Sequence, residues 1–150
     1  MSCLACDVNA GRVEAPGGLI LDTGRWAVDH CVGPLGVGTL VVKPKRHVVH
    51  LGELEPGEAA ELGPLLQRTA AVVRKLASPE QVYVCLWSHA GGEPGHIHFV
   101  VQPVTRELMS ALGSHGPRLQ VTMFDRGELP DPAAAAAFAA RARRLLAGTS

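Results

Sequence analysis

The stretch Gly95-His96-Ile97-His98-Phe99-Val100-Val101-Gln102-Pro103 decides how the chain is read. Its alternating polarity predicts an extended backbone that puts His96, His98, Val100 and Gln102 on one face and Ile97, Phe99 and Val101 on the other. The second, apolar set is expected to meet the core. Both imidazoles then share one surface, with Cα atoms roughly 6.5–7 Å apart by the rise of a strand. Just upstream, residues 81–88 (QVYVCLWS) are almost continuously apolar and predict a central strand covered on both faces. The glycine-rich turn between the two runs predicts a hairpin.

Working outward, residues 18–22, 25–32 and 38–43 read as short antiparallel strands separated by turn signals at Thr23-Gly24 and Gly33-Pro34. Between residues 56 and 76, Leu62, Leu65, Leu66, Val72, Val73 and Leu76 recur at helical spacing after Pro56, and Gly63-Pro64 is expected to kink or break that helix. From Asp131, an acidic N-cap, a proline at the first helical position and an alanine-rich run predict a C-terminal helix. The expectation is an α+β fold: an antiparallel sheet of about five strands, one inserted helix and a C-terminal helix, with residues 1–150 forming one domain.

Composition narrows the function. Fourteen basic and fourteen acidic side chains give a formal net charge of zero, so nothing favours duplex nucleic acid or an anionic membrane. No apolar run approaches the eighteen or so residues of a membrane span, and MSCLACDVNAGR lacks an apolar signal core; a cytoplasmic protein is the expectation. Four cysteines in such a chain read as metal, redox or packing residues rather than a disulfide framework. Cys31 and Cys85, inside apolar runs, read as packed residues, as do Trp26 and Trp87.

Cys3-x-x-Cys6 supplies half of a tetrahedral zinc site. His47, ending the third strand, and His96, opening the histidine strand, are placed to meet it at one end of the sheet, giving a site of Cys3, Cys6, His47 and His96. The rival set closes with His47 and His50, and a thioredoxin-like redox role is a weaker third reading. A coordinatively full site is structural: it pins the N-terminus to the sheet.

Three segments taken together, LACDVNAGR, GTLVVKPKRH and GHIHFVVQP, resemble in order and spacing the histidine triad (HIT) superfamily of nucleotide hydrolases and transferases over roughly residues 3–103. The family's Gly-His-x-Leu-Val-x-Pro-Lys-x-His is similar to residues 38–47, with Thr39 where a histidine is expected. Its His-φ-His-φ-His-φ-φ-Pro is similar to residues 96–103, with Val100 at the third histidine. The resemblance, to the zinc-containing bacterial branch, implies zinc on Cys3, Cys6, His47 and His96. It also implies that His98 is the nucleophile, with its tautomer set by the His96 carbonyl. Ser88, His89, Gly91 and Gly92 fall on the turn that meets phosphate, and an acidic residue for the ribose falls near Asp29 to Cys31. Relatives are commonly homodimers.

The function expected from this is a nucleotide hydrolase or nucleotidyl transferase acting at the α-phosphate of a dinucleoside polyphosphate or nucleoside phosphoramidate through a nucleotidyl-histidine. The chemistry is intelligible, since a neutral imidazole near pH 7 attacks phosphorus and splits one displacement into two. The alternative is a nucleotide-binding module with weak or no turnover, motivated by Thr39, Val100 and the Glu93-Pro94 loop. A zinc module for macromolecular recognition is a third class, disfavoured for nucleic acid by neutral charge and few aromatics. Lys43, Lys45 and Arg46 read as a solvated basic strand end, with steering of anions toward a nearby phosphate site as the lesser alternative. His30, His50, His89 and His115 read as surface or hydrogen-bonded residues, His89 set apart by its place in the expected phosphate turn.

Overall fold

The computed structural model describes residues 3–148. Strands β1 (Leu21–Asp22), β2 (Trp26–His30), β3 (Leu40–Pro44), β4 (Gln81–Ala90) and β5 (Glu93–Val104) form one antiparallel sheet in the order β1-β2-β3-β5-β4. Helices α1 (Leu4–Asn9), α2 (Pro56–Ala77), α3 (Arg106–Leu112), α4 (Pro117–Arg126) and α5 (Pro132–Ala147) surround it. The α+β architecture follows the expectation, with three more helices than the sequence reading assigns. None of the described helices is long and apolar enough to cross a membrane.

Pleat parity builds the core. Trp26 and Val28 of β2, Leu40 and Val42 of β3, and Phe99 and Val101 of β5 point to one side of the sheet. There they pack against Leu65, Val72 and Val73 of α2 and Phe138, Ala139, Ala142 and Leu146 of α5. The Trp26 indole satisfies its N–H on the Glu58 carbonyl at 3.1 Å, tying β2 to the first turn of α2. Gly38 enters β3 at φ +95°, and a Cβ there would stand 3.0 Å from the Phe138 ring, so glycine serves both the turn and the packing of α5. Asp131 caps α5 through a bond from the Ala134 amide, as its sequence predicts.

Three expectations are corrected. First, β4 is an edge strand rather than a central one, because β5 sits between it and β3; Val84 and Leu86 are left 43% and 41% exposed. Trp87 is accordingly half-buried, stacked on Phe124 of α4 with centroids 4.9 Å apart. Second, α2 runs unbroken through Pro64. Proline deprives the Ala60 carbonyl of its helical donor, but Ala60, Gly63 and Pro64 are all exposed, so water replaces the lost bond while Leu65, Thr69 and Val72 hold the buried stripe. Third, the basic strand end is not simply solvated. Lys45 pairs with Asp22, Arg46 holds the Glu58 carboxylate through two bonds, and Lys43 is buried against Asp29.

His30 is buried at 1% exposure with both ring nitrogens engaged: Nδ1–H donates to the Cys31 carbonyl at 2.9 Å and Nε2 accepts from the Gly38 amide at 2.9 Å. Burial lowers its proton affinity below that of an ordinary histidine, and a second proton would abut the Gly38 N–H. Above the unfolded pKa of about 6.5 both states hold a neutral ring. Below it the unfolded chain takes up a proton that the folded ring refuses, so folding stability falls as pH drops. Proton NMR is expected to show the His30 ring titrating below the ordinary histidine range. Chemical denaturation at pH 7.5 and 5.5 is expected to show a smaller loss for His30→Gln than for the wild type.

Candidate functional site

The site begins with an irregularity in the β4–β5 ladder. Trp87 pairs with His98 and His89 with Pro94, so Gly95, His96 and Ile97 face only Ser88 across the hairpin. This bulge takes His96 out of the ladder, and the Ile97 amide bonds instead to the Val48 carbonyl at 2.8 Å. Gly95 permits the bend, since a Cβ there would stand 3.2 Å from that of Ala90. His96 and His98 therefore leave β5 with different neighbours.

His96 turns toward the N-terminus. Cys3 is the N-cap of α1 and its sulfur accepts the Cys6 amide at 3.5 Å, so both thiols sit at the start of one short helix. Asn9, at the end of α1, donates to the Pro44 carbonyl at 3.2 Å, and His96 Nε2–H donates to the same oxygen at 2.8 Å. That leaves His96 Nδ1 facing Cys3 Sγ at 3.7 Å and Cys6 Sγ at 3.5 Å, while His47 Nδ1 lies 3.3 Å from Cys6 Sγ. The four ligand atoms all fall within 4.8 Å of one another. A tetrahedron with metal bonds of about 2.0–2.3 Å has edges of roughly 3.3–3.8 Å, so this donor set has the span of a tetrahedral two-thiolate, two-imidazole site. His96, not His50, completes it. The Cys6 thiol is pushed up by burial, by the adjacent Cys3 sulfur and by Asp7, all of which a cation would offset. Arg46, gripping Glu58 of α2, fixes the backbone that presents His47.

His98 has another setting. Its Nδ1 lies 3.1 Å from the His96 carbonyl, which can only accept, so Nδ1 carries the hydrogen and Nε2 keeps its lone pair. Burial, then the Lys43 charge, lower its proton affinity against the opposing His96 bond, favouring the neutral ring. The ring is half-buried. Val100 and Thr39 lie nearby under α4: Val100 packs in a cluster with Cys31, Leu35, Val41, Trp87 and Met123, and Thr39 is fully buried, donating to the Leu35 carbonyl. Gln102 donates to the same carbonyl and to Met123 sulfur, and accepts from Gln120, which fastens α4 over this end of the face.

The expected phosphate turn is the tip of the hairpin. Gly91 and Gly92 occupy it at φ +61° and +86°, the signature of a two-residue hairpin turn, and both are exposed with nothing near an added Cβ. Ser88 is half-buried beside the bulge, His89 is exposed, and Glu93 points to solvent at the tip. The sequence reading missed α4, whose only local signals are the Gly116-Pro117 start and Gly127 end. It also missed the burial of Lys43 and Asp29.

Among known proteins, the chain is 31% identical over 105 residues to an uncharacterized HIT-like protein of Mycobacterium tuberculosis, present in strains CDC 1551 and H37Rv, covering 69% of this chain and 72% of the relative. The chain belongs to the HIT-like family. No family model matches it. A zinc-bound histidine triad family protein from Mycobacterium smegmatis superposes with a TM-score of 0.67 at 22% identity, over 98% of this chain and 94% of its own. A hypothetical histidine triad nucleotide-binding protein from Sulfolobus tokodaii strain7 does so with a TM-score of 0.71 at 14% identity, over 97% and 92%. Both likenesses concern the HIT fold.

In this HIT-like chain Met123 is the side chain that α4 sets against Val100. Met123→Ala is expected to destabilise by about 1–2 kcal/mol, less than truncating a fully buried methionine because the residue is only half-buried, as read from urea denaturation.

Proposed function

We propose that this chain is a nucleotide hydrolase or nucleotidyl transferase of the HIT-like family in which His98 is the nucleophile. The observation carrying this reading is the His98 Nδ1 bond to the His96 carbonyl, which leaves Nε2 unprotonated on a half-buried face. Nε2 attacks the α-phosphorus of a dinucleoside polyphosphate or nucleoside phosphoramidate, and the bond from phosphorus to the leaving group breaks with its electron pair going to the leaving group, an amine then taking a proton from solvent. Water, or another acceptor, attacks the cationic nucleotidyl-histidine, its proton passing to solvent and the phosphorus–nitrogen pair returning to the ring, which releases the nucleotide and restores the neutral imidazole. Ser88, one residue past the partner of His98, together with His89, Gly91 and Gly92, contacts the phosphates. Residues 1–150 act as one domain.

Cys3, Cys6, His47 and His96 hold a structural zinc ion on this reading, supported by their spacing and by the zinc-bound fold neighbour. Zinc supplies cross-linking there, with no open position for substrate. His96 then braces His98 through its carbonyl while its own ring is fixed between the cysteines and Pro44. Purified protein is expected to contain about one zinc per chain, and Cys6→Ser to lose it with a drop in melting temperature, measured by metal analysis and calorimetry. A wild-type protein that melts identically with and without a chelator would refute the structural role.

The chain is proposed to act as a homodimer. Edge strand β4 keeps one row of backbone groups unpaired and exposes Val84 and Leu86, which suits strand pairing with a second copy. Sedimentation is expected to show a dimer that Leu86→Lys dissociates.

The decisive experiment is turnover of diadenosine polyphosphates and adenosine phosphoramidates by the wild type and His98→Ala. The variant is expected to lose at least about a hundredfold in rate, and equal rates end the proposal. A second reading, nucleotide binding without turnover, is favoured by the apolar packing of Val100 where the resemblance places a third histidine. It predicts calorimetric binding of AMP by a wild type that forms no product.

A further inference from the structure

The sheet face that bears His98 also carries a buried ion pair that the proposed chemistry leaves unused. Ala27 of β2 pairs with Lys43 of β3, and Val42 pairs with Phe99 of β5. The β3–β5 ladder ends at that pair, and the next residue on each strand is Lys43 on β3 and His98 on β5, the latter paired with Trp87 of β4. Asp29, opposite Val41, shares this face, and its carboxylate accepts from the Lys43 ammonium. Lys43 and Asp29 are 3% and 4% exposed.

Such a pair is expensive to bury and is a poor device for stability, since apolar residues of similar volume commonly do as well or better. Its orientation is informative. The order β2-β3-β5 puts Asp29 on the far side of Lys43 from His98, so His98 faces the positive end of the pair. An ammonium carries three donors, and Asp29 is the acceptor found for it among the described residues. A buried cation with spare donors, next to an imidazole whose lone pair is free, has the chemistry of an anion site, and burial keeps its charge from being screened.

We propose that Lys43, oriented by Asp29, is a phosphate-binding residue of the His98 site, taking a non-bridging oxygen of the nucleotide α-phosphate with the donors that Asp29 leaves free. This rests on the nucleotide reading above and adds the residue that supplies the cation. It also explains why a neutral chain with an exposed acidic residue at its hairpin tip can hold a phosphate at all: the compensating charge is inside the sheet face, not on the surface.

The test is calorimetric binding of AMP and of adenosine to the full chain, the two ligands differing only in the phosphate. Lys43→Met alone strands the Asp29 carboxylate and is expected to lose stability, so the informative variant is Lys43→Met with Asp29→Leu, which replaces the pair by apolar volume and is expected to melt at or above the wild type. The wild type is expected to prefer AMP over adenosine by about tenfold or more, and the double variant to lose that preference, its AMP-to-adenosine affinity ratio falling to about one. A double variant that keeps the wild-type preference for AMP overturns the role of Lys43 and leaves the nucleotide reading standing. A wild type that binds neither ligand overturns both.

Discussion

Strand β5 is buried on both faces for most of its length, and the two faces demand opposite things. One side must supply Phe99 and Val101 to a core closed by α2 and α5. The other carries His98 and Gln102, whose polar atoms need partners once water is removed. A one-residue slip of register would exchange the two sets, exposing the core and burying the imidazoles against aliphatic side chains. The β3–β5 and β4–β5 pairings hold that register from both sides, and the rest of the chain is arranged to satisfy what the polar side presents.

The solution differs along the strand. At the N-terminal end the bulge opposite Ser88 hands His96 to α1 and to the Pro44 carbonyl, where a compact cluster of sulfur and nitrogen takes it up. At the C-terminal end Gln102 is answered by Gln120 and the Leu35 carbonyl, so α4 is fastened by this polar network together with Leu119, Met123 and Phe124. His98 lies between these two closed regions. Its Nδ1 is answered by backbone, and Nε2 keeps its lone pair. Rigidity on either side and one open nitrogen between them is what the proposed role of His98 calls for.

Much of this was legible because it depends on short-range periodicity. Period-two alternation over residues 95–103 set the faces of β5, and Asp131-Pro132 with the alanine run set α5. The cluster of Cys3, Cys6, His47 and His96 was legible as well, through a Cys-x-x-Cys motif and two strand-end histidines, with His50 as the rival to His96 that the fold sets aside. What misled was local chemistry that tertiary context overrides. The apolar run of β4 reads equally as a buried central strand or as an edge awaiting a partner. Pro64 breaks a helix in isolation but is tolerated where the freed carbonyl faces water. Lys43 in a basic run reads as solvated until pleat parity turns it inward.

Alternation, turn signals and ligand spacing, all properties of neighbours in the chain, determined on their own the α+β class, the inward set of β5 and the residue types gathered at the candidate site. The order of strands, the bulge that separates His96 from His98, the docking of α4 and the burial of Lys43 beside Asp29 were decided only in three dimensions. The physical reason is range: each depends on which distant segment removes water from a given side chain, and burial is a property of the packed assembly that no local pattern encodes.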